Sequence, residues 1–381
     1  MNARESGELR RRLTVDKSSV TKIYCCYVNT KKEIIGVSDV SLGTIPADEA
    51  ERYLNLLKKV LSGSYGRNLL DIPFTNAQVA EGEEHKLLTL LRDSGATDTD
   101  ARMTLFEKIA ESVSFEEKNA LILLAYDVYD VPVRKYDAAG AFDEESDNMF
   151  KYIICAVCPV VPEKTELGYI EKDKAFHNTT SPRIAASPEL GFLFPAFDSR
   201  RANIYNAQMY TKSAADVHEA FIEAVFHAEK PPMSALEQKE NFNGALAEAL
   251  DDACSLNVVQ TVHEQLRERI EQHKESRDPE PLDLSASDIG DILSASGVDE
   301  AKVETFKEKC GESFGAFASL DPHNIIDTGR FDMVTPQVKI SVSPDYAYAV
   351  ETRVIDGRKF ILIPADDGVE VNGLNVNIRE E

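Results

Sequence analysis

Residues 119–131 read NALILLAYDVYDV, and residues 150–161 read FKYIICAVCPVV. Both runs are dense in Ile, Leu, Val and Tyr, and an acidic, Gly-containing stretch separates them. Residues of this kind favour a pleated, buried surface. The pair predicts two neighbouring strands, 119–131 and 150–161, at the centre of a sheet that the rest of the chain covers or extends. Val128 and Tyr129 lie between Asp127 and Asp130, so this end of the first strand is expected to meet water. Pro132 then ends the ladder, because proline has no N–H to donate.

Upstream, a short basic helix is expected over 4–13 and a hairpin over 20–28 and 33–40. Pro46 opens a helix over 47–61, with Ala50, Tyr53, Leu54, Leu57 and Leu61 on one face. A strand over 68–74 and helices over 84–92 and 99–112 follow. Asp98 or Thr97 can cap the last of these. Downstream, 190–197 (LGFLFPAF) reads either as an edge strand broken at Pro195 or as an apolar plug over the sheet. A strand over 203–211 and an amphipathic helix over 215–228 complete the first domain.

Pro231-Pro232 is the first domain boundary. Helices are expected over 234–253 and 256–275. The second carries a narrow stripe of Val259, Val262, Leu266 and Ile270, which suits one partner, either a helix of this chain or another subunit. Short helices over 287–296 and 299–309 precede strands over 337–342, 352–355, 358–363 and 369–378. Asp356-Gly357 and Asn372-Gly373 are hairpin-turn signals, since these residues tolerate positive φ. The fold class that follows is α+β. Residues 1–230 form a mixed β-sheet with flanking helices, 231–278 a helical hairpin, and 283–381 a small helical and β-hairpin unit.

The chain has 381 residues and a net charge of -24. No apolar run is long enough to cross a bilayer, and MNARESGELRRRL lacks an apolar signal core. The six cysteines are scattered, which fits reduced thiols in a cytoplasm. An acidic surface repels phosphate backbones. The charge is uneven, however. Residues 1–60 hold 11 Lys+Arg against 8 Asp+Glu, a net of +3 that leaves -27 for the remainder. Arg10, Arg11 and Arg12 carry much of that excess and are the first candidates for nucleic-acid contact. The plainer reading is a basic helix lying on its own acidic body.

Few residues announce chemistry. Cys155 and Cys158 form CxxC, but a redox pair needs a helix start to lower the thiol pKa, and this pair lies in a predicted strand. Cys25-Cys26 could complete a four-thiolate zinc site only if adjacent side chains did not point to opposite faces. His218-Glu219 lacks the second His of a metalloprotease helix, and no phosphate-binding Gly motif or nucleophile elbow occurs. The Asp143–Asp147 cluster and Asp366-Asp367 could bind a divalent cation, but loop carboxylates are more often plain surface. No catalytic residue, metal ligand or cofactor is expected. The tract 178–206 is more suggestive. Arg183, Arg200 and Arg201 flank Phe192, Phe194, Phe197 and Tyr205, and arginine beside exposed aromatics serves single-stranded nucleic acid or a protein anchor site. The competing reading makes these aromatics part of the core.

The phrases YLNLLKKVLSG, EEHKLLTLLRDS, PELGFLFPAFDSR, QTVHEQLRERIEQHKES and RVIDGRKFILIPADDGVEVNG resemble the bacterial domain-of-unknown-function family 4317 across nearly the whole chain. The resemblance implies a cytoplasmic bacterial protein and supplies no activity. In the order of its elements, with ALILLAYDV and KYIICAVCPV as central strands, the chain is also similar to nucleoid-associated proteins of the NdpA type. That similarity implies a non-enzymatic protein that binds DNA or DNA-handling proteins. Two further expectations belong to other classes. One is an acidic protein-interaction module that forms homo-oligomers through the 256–275 helix. The other is a hydrolase or metal enzyme whose site assembles from distant residues.

Overall fold

The computed structural model describes all residues except 116–117, 133–134, 137–141, 144–148, 162–164, 181–183, 229–230, 316–318, 367, 377 and 379–381. The acidic loop and the Asp143–Asp147 cluster thus fall largely outside the described residues, as do Arg183 and Asp367. The chain divides into two units, Met1–Leu236 with Pro279–Pro281, and Glu237–Asp278 with Leu282–Glu381.

The first unit is built on seven main strands: β1 (Lys22–Val28), β2 (Ile34–Ser41), β3 (Leu69–Pro73), β4 (Asn119–Asp130), β5 (Met149–Val161), β6 (Leu190–Phe194) and β7 (Asn206–Thr211). Their order is β2-β1-β4-β5-β6-β7-β3, and Ile184–Ala185 adds a short pairing to the end of β5. The predicted central pair is the longest ladder, running from Asn119 opposite Val160 to Asp130 opposite Met149. Every pairing in this sheet is antiparallel, where a mixed sheet was expected. The intervening helices return the chain to antiparallel neighbours and do not act as parallel crossovers. β6 lies between β5 and β7 in the interior, not at an edge, and it stops at Pro195.

Helices cover both faces. One core gathers Ile122, Leu124, Cys155 and Phe192 beneath α3 (Asn76–Glu81), α4 (Glu83–Asp93), α5 (Thr99–Ser112) and α6 (Glu219–Phe226). The other gathers Leu123, Ala125, Ile154 and Phe150 beneath α1 (Ala3–Arg12) and α2 (Ala47–Lys59). Alternate residues of β4 and β5 serve opposite cores. This explains why the two strands read as continuous apolar runs and not as an apolar–polar alternation.

The second unit packs α7 (Ala235–Leu250), α8 (Leu256–Ser276), α9 (Ala286–Ala295) and α10 (Glu300–Phe314) around Phe242, Leu266, Leu293 and Phe306. Residues from 242 to 326 share this core, so the helical hairpin and the C-terminal segment form one unit and not two. Val262, Leu266 and Ile270 of the stripe on α8 are buried within the chain, with α9 among the neighbours of α8, so these three offer no open seam for a second copy; Val259 is half-buried. Three two-stranded hairpins follow. Two turn where expected, with positive φ at Asp356 and Gly357 and at Asn372 and Gly373.

Candidate functional site

The arginine triplet sits at the C-terminal end of α1, where cations favour the helix dipole. Its members have different fates. Arg10 and Arg11 are exposed and make no ion pair among the described residues. Arg12 reaches inward. Its Nη2 donates to Asp127 Oδ1 at 3.3 Å and to the Val128 carbonyl, and its guanidinium lies 4.7 Å from the Tyr129 ring centre.

Asp127 is 0% exposed, whereas the strand end beyond it meets water as expected, with Val128 and Tyr129 half-buried and Asp130 exposed. Its carboxylate also accepts from the Ser19 N–H at 2.7 Å and from the hydroxyl of Tyr152, its cross-strand partner, at 2.7 Å. Burial, with the carboxylate beside it, holds the Tyr152 hydroxyl well above the usual phenol range, so it remains a donor. A buried carboxylate is tolerable only with partners of this kind.

Arg200 and Arg201 sit in a small hairpin in which Asp198 pairs with Arg201. Ser199 and Arg200 form its turn with φ of 50° and 57°. Neither is Gly or Asn, so the sequence carried no turn signal here. Contacts to α1 hold the conformation. The Arg200 N–H donates to Glu5 Oε1 at 3.1 Å, its Nη2 to Glu8 Oε1 at 2.9 Å, and its Nη1 to the Pro132 carbonyl at 3.1 Å. The Tyr129 hydroxyl donates to the same Glu8 oxygen. The fold therefore brings Arg12 and Arg200 to one tyrosine, but both are committed to internal partners. Arg201 remains exposed.

Phe194 and Phe197 are fully buried, so they are not surface anchors. Phe194 packs edge-on to Phe74 and His85, and Phe197 lies 4.6 Å from Phe150. Phe192 is likewise core, while Tyr205 is exposed. The cysteines sort by face. Cys26 and Cys155 belong to one core, and Cys25 and Cys158 to the other. Burial pushes the Cys158 thiol up to about 12, the opposite of an activated CxxC. Among the described residues, no three His, Cys, Asp or Glu side chains gather as a metal set, and no helix is long and apolar enough to cross a membrane.

Composition gave little sign of the arm beyond β5. Thr165–Ile170 pairs with Ala175–Thr180 as an antiparallel hairpin. Leu167 and Tyr169 share a face, and Phe176 stands opposite Tyr169 on it. These side chains are 70%, 54% and 65% exposed. The two rings meet edge to face at 5.4 Å. The only available signal was an alternation, L-x-Y with A-F-x-N, inside a polar stretch.

These features define a class: an α+β protein with an antiparallel sheet between helical layers, an internal arginine–carboxylate brace and an apolar hairpin arm. The family model described as Domain of unknown function (DUF4317) matches residues 1–374, and the chain belongs to that family. No curated protein matches the sequence.

Proposed function

We propose that this protein is non-enzymatic and acts by binding another protein, with the Thr165–Thr180 hairpin as its docking element. The supporting observation is the Leu167, Tyr169 and Phe176 face, an aromatic–aliphatic cluster left in solvent on a two-stranded arm. Such clusters are what protein partners bury as anchors. The arm holds two Lys against three Asp/Glu, so it offers a phosphate backbone no net attraction. Changing Leu167, Tyr169 and Phe176 together to Ser is expected to weaken capture of the native partner more than tenfold. Unfolding stability should move by less than about 0.5 kcal/mol, because the replaced groups leave no core void. Co-purification and urea titration of the triple variant read both; undiminished capture would remove the arm from the interface.

A second reading rests on Arg10 and Arg11, which are exposed and without carboxylate partners among the described residues. They support DNA binding of the nucleoid-associated kind that the element order suggests. Anisotropy with duplex and single-stranded DNA should then show affinity that falls steeply with salt, and Arg10→Ala/Arg11→Ala should flatten that slope by about two phosphate contacts. Absence of binding at low salt excludes this reading.

A further inference from the structure

The second unit contains a cleft of about 230 Å³ lined by α7, α8 and residues 325–332. Its floor is apolar, with Phe242, Leu246, Val262 and Phe331. Its rim carries four charged residues, and the two signs are in different states. Asp327 accepts from the Gly329 N–H at 2.9 Å and from Arg330 Nε at 3.0 Å. Asp332 accepts from Ser341 Oγ at 2.6 Å and from Lys339 Nζ at 2.9 Å. Both carboxylates are therefore compensated.

The cations are engaged less fully: Asp327 pairs with one nitrogen of Arg330 and attracts Lys239 only through space. Lys239 lines the cleft and makes no ion pair or hydrogen bond among the described residues. Arg330 commits only its Nε, which leaves both terminal nitrogens to form a fork. His263 stands in the wall. Its Nε2 is 2.8 Å from the Asp327 carbonyl, an acceptor, so that nitrogen carries the hydrogen. Its ring meets Phe331 edge-on at 5.2 Å.

An apolar floor beneath one unpaired lysine and the free terminal nitrogens of an arginine has a defined complement. We propose that this cleft binds a ligand with an apolar body and one carboxylate head, the body on Phe242 and Phe331 and the head on Lys239 and Arg330. The volume is below that of sites for drug-sized ligands, so it suits a single ring or side chain. Two sources share this chemistry: a small free acid, and the terminal residue of a peptide chain with an apolar side chain.

The test uses the full chain. 3-Phenylpropionate, its amide, a pentapeptide ending in Phe with a free carboxylate, and the amidated peptide are each titrated by calorimetry and by NMR of the His263 ring protons. The carboxylates are expected to shift the His263 signals, and the amides to bind at least about tenfold more weakly. Lys239→Gln/Arg330→Gln should weaken the carboxylates by a similar factor, read by calorimetry because both substitutions also alter the surroundings of His263, with circular dichroism checking that the variant folds. Tighter binding of the peptide supports the chain-terminal source, and tighter binding of the free acid supports the small-molecule source. The proposal is overturned if neither carboxylate binds at about 10 mM, if acid and amide bind equally, or if the double variant binds the acids as the parent does.

Discussion

Asp127→Ala is expected to destabilise the first unit by about 3–5 kcal/mol, the usual cost of removing one partner from a buried charged pair. The substitution removes the acceptor of four groups at once, the Val128 N–H among them. Tyr152 loses the acceptor of its hydroxyl, the Ser19 N–H loses its partner, and Arg12 is left half-buried with only the Val128 carbonyl and Ser19 Oγ. Exposed ion pairs are worth a fraction of this, because water competes for both charges. Asp127→Leu combined with Arg12→Met should cost less than Asp127→Ala alone, since no orphaned charge remains. Urea unfolding followed by tyrosine emission measures both, and hydrogen exchange in β4 and β5 assigns the change to this unit. A loss below about 1 kcal/mol for Asp127→Ala would mean that the brace is not a source of stability.

Gly191→Ala is expected to cost about 3 kcal/mol, at the upper end of overpacking penalties. Gly191 lies in β6, where β5 and Val60, the residue that caps the C-terminal end of α2, both approach it closely. A Cβ there would stand 2.4 Å from the Cys155 carbonyl oxygen and 2.7 Å from Val60 Cγ2. The first contact is backbone in the middle of the sheet, which cannot turn aside as a long side chain would. Gly244→Ala is the matched control. Gly244 is in α7, a Cβ there meets nothing within 4 Å, and alanine is the better helix former, so a gain of about 0.5–1 kcal/mol is expected. Similar unfolding midpoints for parent and Gly191→Ala would show that β6 can shift to admit a methyl group.

What the sequence determined by itself was local. The central strands, the helical faces and the two hairpin turns followed from periodicity and from residues that tolerate positive φ, because those signals lie within a few residues of one another. That Cys155 and Cys158 serve opposite faces followed from the two-residue repeat of a strand. The partners of the polar groups were decided only by the tertiary structure. Arg12 and Asp127 are 115 residues apart, and Glu8 and Arg200 are 192 apart. Nothing local marks an arginine as buried beside a carboxylate or as free in solvent. Arg10 and Arg12 look alike in sequence, and the two-residue offset, about 200° around the helix, directs them to different surroundings. Flanked by arginines, Phe194 and Phe197 can be read as surface anchors or as core, and the fold decides: Phe194 lies in β6, interior to the sheet, and Phe197 packs on Phe150. The Leu167, Tyr169 and Phe176 face reverses that case, an apolar cluster that the fold leaves outside. Burial is a property of the assembled layers, and a one-dimensional pattern reports it only where the pattern repeats.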